Sequence, residues 1–324
     1  MATRARLGKV YVGDGEPVRL MGVINVSPES FYKGSVRRSV DEVLGSVKQM
    51  VLNGVDIVDI GGMSTAPYNK TYVGVEEELN RVVPVVKAVK AEYPELTISV
   101  DTFRARVAEE ALKAGADAIN DVTGLKGDPS MARIIADYNA SAVVMARERA
   151  PDVGRNPVER TISALRESLE IALNSGISED RLVIDPGIGA WPPLNIDPAL
   201  KGGEPLKDPY IRGDRKYPWY VWDSVIIMNI RKIREALNRP ILVGISRKSF
   251  LERLMRRRAP PEDRLYSSVA AEAIAVLMGA DAVRTHNVGE TRDAVRVAEA
   301  LRACIGRGPE ACADEVVKLT GPSP

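Results

Sequence analysis

Several polar side chains follow short apolar runs in this sequence, and their types suggest a ligand. Asp101, Asn120 and Asp185 are hydrogen-bond acceptors. A carboxylate accepts two parallel hydrogen bonds from a ring that carries adjacent N–H donors. Lys248 and Arg284 follow later in the chain as cationic donors, which suit a phosphate or a negative charge developing on a leaving group. The pattern indicates a polar heterocycle bound beside an anionic group.

The scarcity of soft ligands limits the metals that the chain can bind. His286 is the single histidine, and it adds a third donor to the anionic side when it is protonated. With two cysteines as well, Cys304 and Cys312, the chain cannot build a Cys₄ or Cys₂His₂ zinc site. A bound metal must then use oxygen ligands, which favours Mg²⁺ over zinc.

The elements that position these residues alternate between strand and helix patterns. The predicted strands are rich in Val and Ile at successive positions, as parallel strands covered on both faces are. They are Arg19–Ile24, Asp56–Ile60, Thr97–Val100, Ala116–Ile119, Ser141–Met145, Arg181–Ile184, Ile241–Ile245 and Asp281–Arg284. Eight strands joined by helices predict an α/β fold, a single (β/α)₈ TIM barrel, with a doubly wound open sheet as the alternative.

Three segments fall outside the strand and helix alternation. Residues 9–20 predict an N-terminal hairpin that turns at Gly13-Asp14-Gly15 and covers the bottom of the barrel. Residues 190–222 lack helical periodicity and hold all three tryptophans, which predicts a long aromatic-rich insert after strand 6. We therefore expect one domain over residues 1–324, with a barrel at 18–300 and a C-terminal extension at 305–324.

Composition and charge exclude several classes of partner. The 45 Lys and Arg nearly balance the 44 Asp and Glu, so the charge gives no reason to expect nucleic acid or an anionic membrane surface. No signal peptide and no membrane span is predicted, which favours the cytoplasm. High charge with a single Gln, Gln49, is a weak thermophile signal. Cys304 and Cys312 are expected to be unpaired, with a disulfide as the alternative.

Seven motifs in order along the chain resemble those of dihydropteroate synthases. The resemblance covers roughly residues 18–300 apart from the insert, and Ser246-Arg-Lys-Ser-Phe250 is its most specific part. The motifs are Met21-Gly-Val-Ile-Asn-Val-Ser-Pro-Glu-Ser-Phe31, Asp59-Ile-Gly-Gly-Met-Ser-Thr-Ala-Pro67, Ser99-Val-Asp-Thr102, Ile119-Asn-Asp-Val122, Ile184-Asp-Pro-Gly-Ile-Gly189, Val243-Gly-Ile-Ser-Arg-Lys-Ser-Phe250 and Val283-Arg-Thr-His-Asn-Val-Gly-Glu-Thr291.

The resemblance implies a transferase of folate biosynthesis that joins a dihydropterin pyrophosphate to an arylamine and releases pyrophosphate. It implies a homodimer and Mg²⁺, and the composition adds an archaeal or thermophilic member as an expectation. The pterin positions that match are Asp101, Asn120, Asp185 and Lys248. Asn25, Arg284 and His286 match pyrophosphate and Mg²⁺ positions, with Asn25 as the metal ligand. Phe31, Thr65, Pro67 and Ser249 match positions that hold the arylamine and the phosphates. The expected catalytic set is Asn25, Asp101, Lys248, Arg284 and His286.

The chain departs from the family pattern on the arylamine side. Ala66 replaces the Arg of the second signature, Lys33 stands near the place of an Asp, and Ala190 replaces a Phe. Met145-Ala-Arg147 stands in place of a Met-His-Met-like strand end. Lost bulk beside an aromatic insert suggests a larger arylamine, such as a ribosyl-phosphate derivative of p-aminobenzoate. A plain lid or dimer contact is the alternative for the insert.

Two other functions compete with a synthase. A methyltransferase that uses a methyl-tetrahydropterin shares the pterin-binding barrel, but it has no pyrophosphate that Arg284 and His286 would bind. A pterin-binding protein without synthase activity is the second alternative, suggested by Ala66 and Lys33. Pterin binding without pyrophosphate release would support it.

Overall fold

The computed structural model describes residues 3–27, 34, 39–64, 73–150, 155–189, 192–197, 200 and 217–321. Its strands are β1 Arg4–Leu7, β2 Val10–Gly13, β3 Arg19–Asn25, β4 Ile57–Gly61, β5 Thr97–Asp101, β6 Ala118–Asp121, β7 Ser141–Met145, β8 Leu182–Asp185, β9 Leu242–Gly244 and β10 Ala282–Thr285. Its helices are α1 Val40–Leu52, α2 Val75–Glu92, α3 Ala105–Lys113, α4 Met131–Asp137, α5 Pro157–Asn174, α6 Trp219–Met228, α7 Ile230–Leu237, α8 Phe250–Leu254, α9 Leu265–Leu277, α10 Val288–Arg302 and α11 Pro309–Thr320.

Strands β3 to β10 form one parallel sheet that curls into a near-closed barrel. The order of the eight described strands is β8-β7-β6-β5-β4-β3-β10-β9, and an isolated parallel bridge between Ile184 and Ile241 joins the two edges. From β3 onward, each barrel strand is connected to the next by at least one helix, as the alternating pattern predicted. Strands β4 and β7 are buried along their whole length, because barrel strands are covered on both faces.

Local signals in the sequence account for the ends of several helices. Helix α5 begins after Asn156, whose side-chain oxygen accepts hydrogen bonds from the backbone N–H groups of Val158 and Glu159 at 3.0 and 3.1 Å. Pro157 follows as the first helical residue, where its missing N–H costs nothing. Gly279 follows α9 with a φ of +107°, a conformation that suits glycine at a helix C-terminus.

The N-terminal hairpin is present, but its turn is not where the sequence predicted it. Strands β1 and β2 reverse at Gly8 and Lys9, with Gly8 at a φ of +62°, whereas residues 13–15 lead out of the hairpin into β3. Apolar residues of the hairpin pack against the first residues of the barrel strands and cover the bottom of the barrel. This group is Ala5, Leu7, Val12, Met21, Ile57, Ala118, Val143, Val183, Leu242 and Ala282.

The aromatic insert predicted after strand 6 is not evident in the described residues. Trp219, Tyr220 and Trp222 belong to α6, which begins within the last four residues of the predicted insert. Trp222 is 1% exposed in the main core, and the Arg160 guanidinium lies 4.4 Å from its ring centroid. Trp191 and Tyr210 lie outside the described residues, as do most of positions 198–216.

Cys304 and Cys312 form a disulfide, so the expectation of unpaired thiols was wrong. The bond spans the turn between α10 and α11 and fastens the last helix to the barrel's final one. None of the residues of α11 is buried. Within the described residues, no helix has the length and apolarity needed to cross a membrane.

Candidate functional site

The carboxyl ends of the barrel strands bring the predicted polar residues to one level. Gly61 at the end of β4 lies between Asn25 on β3 and Asp101 on β5 in the strand register, and Asp101 pairs in turn with Asn120 on β6. A Cβ on Gly61 would lie 3.6 Å from Asn25 Oδ1 and 3.7 Å from Asp101 Cβ. The glycine therefore leaves open space between these two side chains.

Arg284 connects two carboxylates at the centre of this end of the barrel. Its Nε donates to Asp59 Oδ2 at 2.6 Å, and its Nη2 donates to Asp101 Oδ2 at 2.9 Å. Asn120 Nδ2 donates to the same Asp59 oxygen at 3.0 Å. Asp59 is fully buried and belongs to the site, although it was not among the predicted site residues. An aspartate inside a buried strand needs a partner, and that requirement is the signal that could have identified it.

Three buried acceptor atoms of this cluster have no hydrogen-bond donor among the residues that the structure describes. They are Asp59 Oδ1, Asp101 Oδ1 and Asn120 Oδ1. Burial raises the pKa of Asp101 to about 7, with the Arg284 charge opposing the rise and the Asp59 charge adding to it. Buried acceptors without donors are costly, so the arrangement is suited to a ligand that presents several N–H groups.

Asp185 and Lys248 border the loop that follows β8. Asp185 Oδ1 accepts a hydrogen bond from the backbone N–H of Gly187 at 2.7 Å, and Lys248 Nζ donates to the Ile188 carbonyl. A Cβ on Gly244 would lie 3.9 Å from both Lys248 Nζ and Arg284 Cβ. Lys248 and Arg284 thus both lie close to Gly244, and the predicted cationic pair is brought together.

His286 lies beside three cations. Its backbone N–H donates to Ser246 Oγ at 3.2 Å. Burial lowers the pKa of His286 well below its ordinary value, and the charges of Arg284, Arg247 and Lys248 lower it further. The imidazole is therefore neutral near pH 7 and offers one N–H. His286 can therefore act as the expected third donor only through that single N–H.

Two residues of the Ser-Arg-Lys-Ser-Phe motif have separate roles. Arg247 is buried, and its guanidinium donates to Asn287 Oδ1 at 2.9 and 2.7 Å and to the carbonyls of Pro261 and Glu262. Arg247 therefore supports the loops behind the site. Ser249 comes directly before α8 and is half-buried next to Lys248.

Three predicted residues, Phe31, Thr65 and Pro67, lie outside the described residues, and so do Lys33, Ala66 and Ala190. Met63, within the second motif, is 7% exposed and packs among apolar neighbours. The described residues include no group of three or more His, Cys, Asp or Glu side chains placed to hold a metal.

Comparison with known proteins identifies the family. The sequence profile of the family described as pterin binding enzyme matches residues 21–197 and 222–286. The chain belongs to the dihydropteroate synthases. It is 33% identical over 297 residues to the dihydropteroate synthase of Clostridium beijerinckii, covering 91% of this chain and 98% of the relative. The Bacillus subtilis dihydropteroate synthase is 34% identical over 294 residues, covering 90% of each chain.

Solved structures agree with this assignment. A dihydropteroate synthase from Coxiella burnetii in complex with pteroic acid superposes with a TM-score of 0.75 at 32% identity, covering 93% of this chain and 99% of the other. The Xanthomonas albilineans enzyme with 4-aminobenzoic acid gives a TM-score of 0.74 at 32% identity, covering 94% and 99%. The predicted family and barrel are confirmed.

Proposed function

We propose that the chain condenses 6-hydroxymethyl-7,8-dihydropterin pyrophosphate with p-aminobenzoate and releases pyrophosphate, with the pterin held by Asp101, Asn120, Asp185 and Lys248. The observation that carries this assignment of residues is the set of three buried acceptors without donors around Arg284. The amino-pyrimidinone edge of a pterin carries adjacent N–H donors of the kind that such acceptors need. The relatives' synthase activity supports the reaction itself.

The cationic residues of the site would stabilise the pyrophosphate leaving group. As the C–O bond to pyrophosphate breaks, negative charge grows on the leaving oxygens and positive charge grows on the pterin methylene carbon. Lys248 and Arg284, which both lie near Gly244, would stabilise these oxygens as fixed cations, and neutral His286 would add one N–H. The amine nitrogen then forms the new C–N bond and loses a proton. Its attack on an electron-poor carbon depends on position more than on a strong base.

The oxygen donors present fit Mg²⁺. This ion keeps several waters and substrate phosphates as ligands, so it needs only one or two protein oxygens. Asn25 is half-buried at the end of β3, and its Oδ1 borders the open space beside Gly61. Asn25 would hold the ion there, and a bound Mg²⁺ would neutralise charge on the leaving pyrophosphate.

Phe31, Thr65, Pro67 and Ser249 complete the proposal as residues that contact the arylamine and the phosphates. Ser249 adjoins Lys248, which supports its placement on this side.

We further propose a single catalytic domain over residues 1–324, with the barrel at 18–300, in a cytoplasmic homodimer. Exposed apolar side chains on α9, among them Tyr266 at 86% and Ile274 at 44%, support a self-association surface. Light scattering at micromolar concentration measures the mass directly.

The function is tested by measuring pyrophosphate release. The purified protein is mixed with Mg²⁺ and the dihydropterin pyrophosphate, and then with p-aminobenzoate or, separately, its ribosyl-phosphate derivative. We expect release with p-aminobenzoate. Release only with the larger amine would replace the proposed substrate. Pterin binding without release in either case would contradict the synthase assignment, and turnover of methyl-tetrahydropterin would indicate a methyltransferase.

A matched pair of variants tests the proposed role of Arg284. Arg284→Lys keeps the charge but loses the planar fork that reaches both Asp59 and Asp101. We expect kcat/KM for the pterin substrate to fall by about 10² or more, as it does when a preorganised donor is lost. Arg292→Lys, a change at a peripheral ion pair with Asp56, is the control and leaves kcat/KM within about twofold.

A further inference from the structure

A buried ion pair joins the end of β7 to the segment that follows β8. Arg147 is 2% exposed and Asp197 is 3% exposed. The Arg147 Nη2 donates to Asp197 Oδ2 and also to the Pro192 carbonyl, at 2.8 Å for the latter. Its Nη1 donates to the Val122 carbonyl at 3.3 Å, just beyond β6. One guanidinium thus ties together the chain at the ends of two neighbouring strands and the segment after a third.

Backbone hydrogen bonds fix the same segment along its length. We name residues 192–197 together with Leu200 the wall segment. The Leu194 N–H donates to the Glu148 carbonyl at 2.9 Å, and the Asn195 N–H donates to the Arg149 carbonyl at 3.1 Å. The Leu200 N–H donates to the Asp197 carbonyl at 3.2 Å. The position of Leu200 therefore depends directly on the residue that pairs with Arg147.

Leu200 packs onto a small apolar cluster at the carboxyl end of the barrel. The cluster consists of Met63, Val73, Phe103, Val122 and Met145, and it is separate from the main core. Two of its members adjoin the polar site, because Val122 follows Asn120-Asp121 and Met145 pairs with Asp185 in the strand register. The five cluster residues are buried, whereas Leu200 is only partly buried, so Leu200 is the apolar side chain left to contact a ligand beside the acceptors. An apolar side chain in that place suits the benzene ring of the second substrate.

We infer that the Arg147–Asp197 pair is a positioning element for the arylamine: it holds the wall segment so that Leu200, supported by the buried apolar cluster, contacts the benzene ring of the amine. This inference rests on the proposed function and extends it to the second substrate. Arg147 itself is buried behind the wall segment and acts through it. A buried ion pair by itself adds little to stability, so the effect that we assign to this pair is on the position of the wall segment.

The test compares the binding of pterin with that of pteroate, the pterin joined to the aminobenzoate ring, by calorimetry. The ratio of the pteroate affinity to the pterin affinity isolates the contribution of the aryl part, and its measurement requires no turnover. We expect Arg147→Met to lower this ratio at least about tenfold and to leave the pterin affinity within about twofold. Where activity is measured, the KM for p-aminobenzoate rises and the KM for the pterin substrate stays the same.

Two further variants separate positioning from simple loss of structure. Asp197→Asn keeps the shape of the side chain and removes its charge, so it should lower the ratio less than Arg147→Met does. The double variant should be no worse than Arg147→Met alone, because both changes disrupt one interaction. Arg149→Met is the matched control: its side chain is exposed and pairs with Glu167, so the ratio should not change.

Each outcome decides for or against the inference. An unchanged affinity ratio in both Arg147→Met and Asp197→Asn would overturn it. An equal loss of pterin and pteroate affinity would also overturn it, because the pair would then support the pterin site. Absence of pyrophosphate release by the wild-type protein would contradict the proposed function alone, since the affinity ratio is measured without catalysis.

Discussion

At the scale of single residues, one guanidinium donates hydrogen bonds to two carboxylates. Arg284 bonds Asp59 and Asp101 but neutralises only one of their charges, so the cluster keeps a surplus of negative charge and of acceptor atoms. A donor-rich ring supplies the missing N–H groups on binding. Burial is the main reason why the pKa of Asp101 is raised to about 7 despite the Arg284 ion pair, and the charge of Asp59 adds to the rise.

Asp185→Asn tests the pterin assignment at this scale. The change replaces one acceptor oxygen with an NH₂ group and presents a donor to the donor edge of the ring. We expect pterin affinity to fall by about 10² or more, since a mismatched buried group costs about 1–3 kcal/mol and a lost charge adds to that. The measurement is pterin titration by calorimetry. Asp180→Asn, at an exposed site before β8, is the control. Normal binding by Asp185→Asn would remove Asp185 from the pocket.

Glu272 provides a second prediction for a single residue. Burial raises the pKa of Glu272 to about 8, although Thr291 Oγ1 donates to its Oε2 at 2.8 Å. Below pH 4.5 both the folded and the unfolded chain hold the proton. Between pH 4.5 and 8 only the folded chain retains it, so the free energy of unfolding decreases as the pH rises, by up to roughly 4–5 kcal/mol.

Glu272→Gln removes this titration and should flatten the pH dependence of the free energy of unfolding between pH 4.5 and 8. Urea unfolding at several pH values measures it. Glu290→Gln, on an exposed face of the next helix, should follow the wild-type curve. A Glu272→Gln curve parallel to the wild type would show that Glu272 does not titrate in this range.

The site residues that the sequence predicts are those at the carboxyl ends of strands. Asp101, Asn120 and Asp185 were identifiable because polar residues at the carboxyl ends of parallel strands converge. Asp59 begins the second motif, but it lies inside β4, two residues before the strand ends, so a rule based on strand ends does not identify it. The low pKa of His286 depends first on burial and then on the charges of Arg284, Arg247 and Lys248. Burial and the last two charges are set by the fold, so no local pattern reveals the shift.

At the scale of elements, the hairpin and α6 show where local pattern is insufficient. Gly8-Lys9 and residues 13–15 both have turn composition, and only the pairing of β1 with β2 decides which one reverses the chain. Helix α6 is apolar on nearly every side, so it lacks the amphipathic periodicity that marks a surface helix. The sequence around its tryptophans therefore lacks the periodicity that predicts a helix.

Leu7→Ala tests the hairpin as a cover for the barrel. Leu7 is fully buried against strand residues at the bottom of the barrel, opposite the polar site. We expect the free energy of unfolding to fall by about 2–5 kcal/mol. The Michaelis constants should not change, because the hairpin lies at the far end of the strands. Urea unfolding and steady-state kinetics measure the two effects. Leu52→Ala is the exposed control, and a large change in KM would show that the hairpin supports the site.

At the scale of the whole molecule, the barrel was predictable because its signal is repeated. Each of eight strands carries the same buried pattern, and errors of one or two residues at a boundary leave the order of the elements unchanged. The polar site consists of residues at the ends of these strands, so a correct strand order also predicts which residues lie together there. The disulfide was not predictable in this way, because a spacing of eight residues permits a bond but does not require one.

The disulfide gives the prediction that belongs to this scale. Helix α11 buries no residue, so its own packing contributes little, and the Cys304–Cys312 bond ties its first turn to the end of α10. In the chain-entropy description, closing so short a loop contributes about 2–3 kcal/mol. That contribution should act on the local opening of α11 and not on the barrel, because local and global unfolding are separate when few buried contacts join two parts.

Reduction, or the double change Cys304→Ser with Cys312→Ser, should therefore speed amide hydrogen exchange in residues 309–320 and leave the midpoint of barrel unfolding within about 2 °C. Hydrogen exchange by mass spectrometry together with calorimetry measures both. A drop in the midpoint that matches the loss of protection in α11 would mean that the last helix unfolds with the barrel and is part of its cooperative unit.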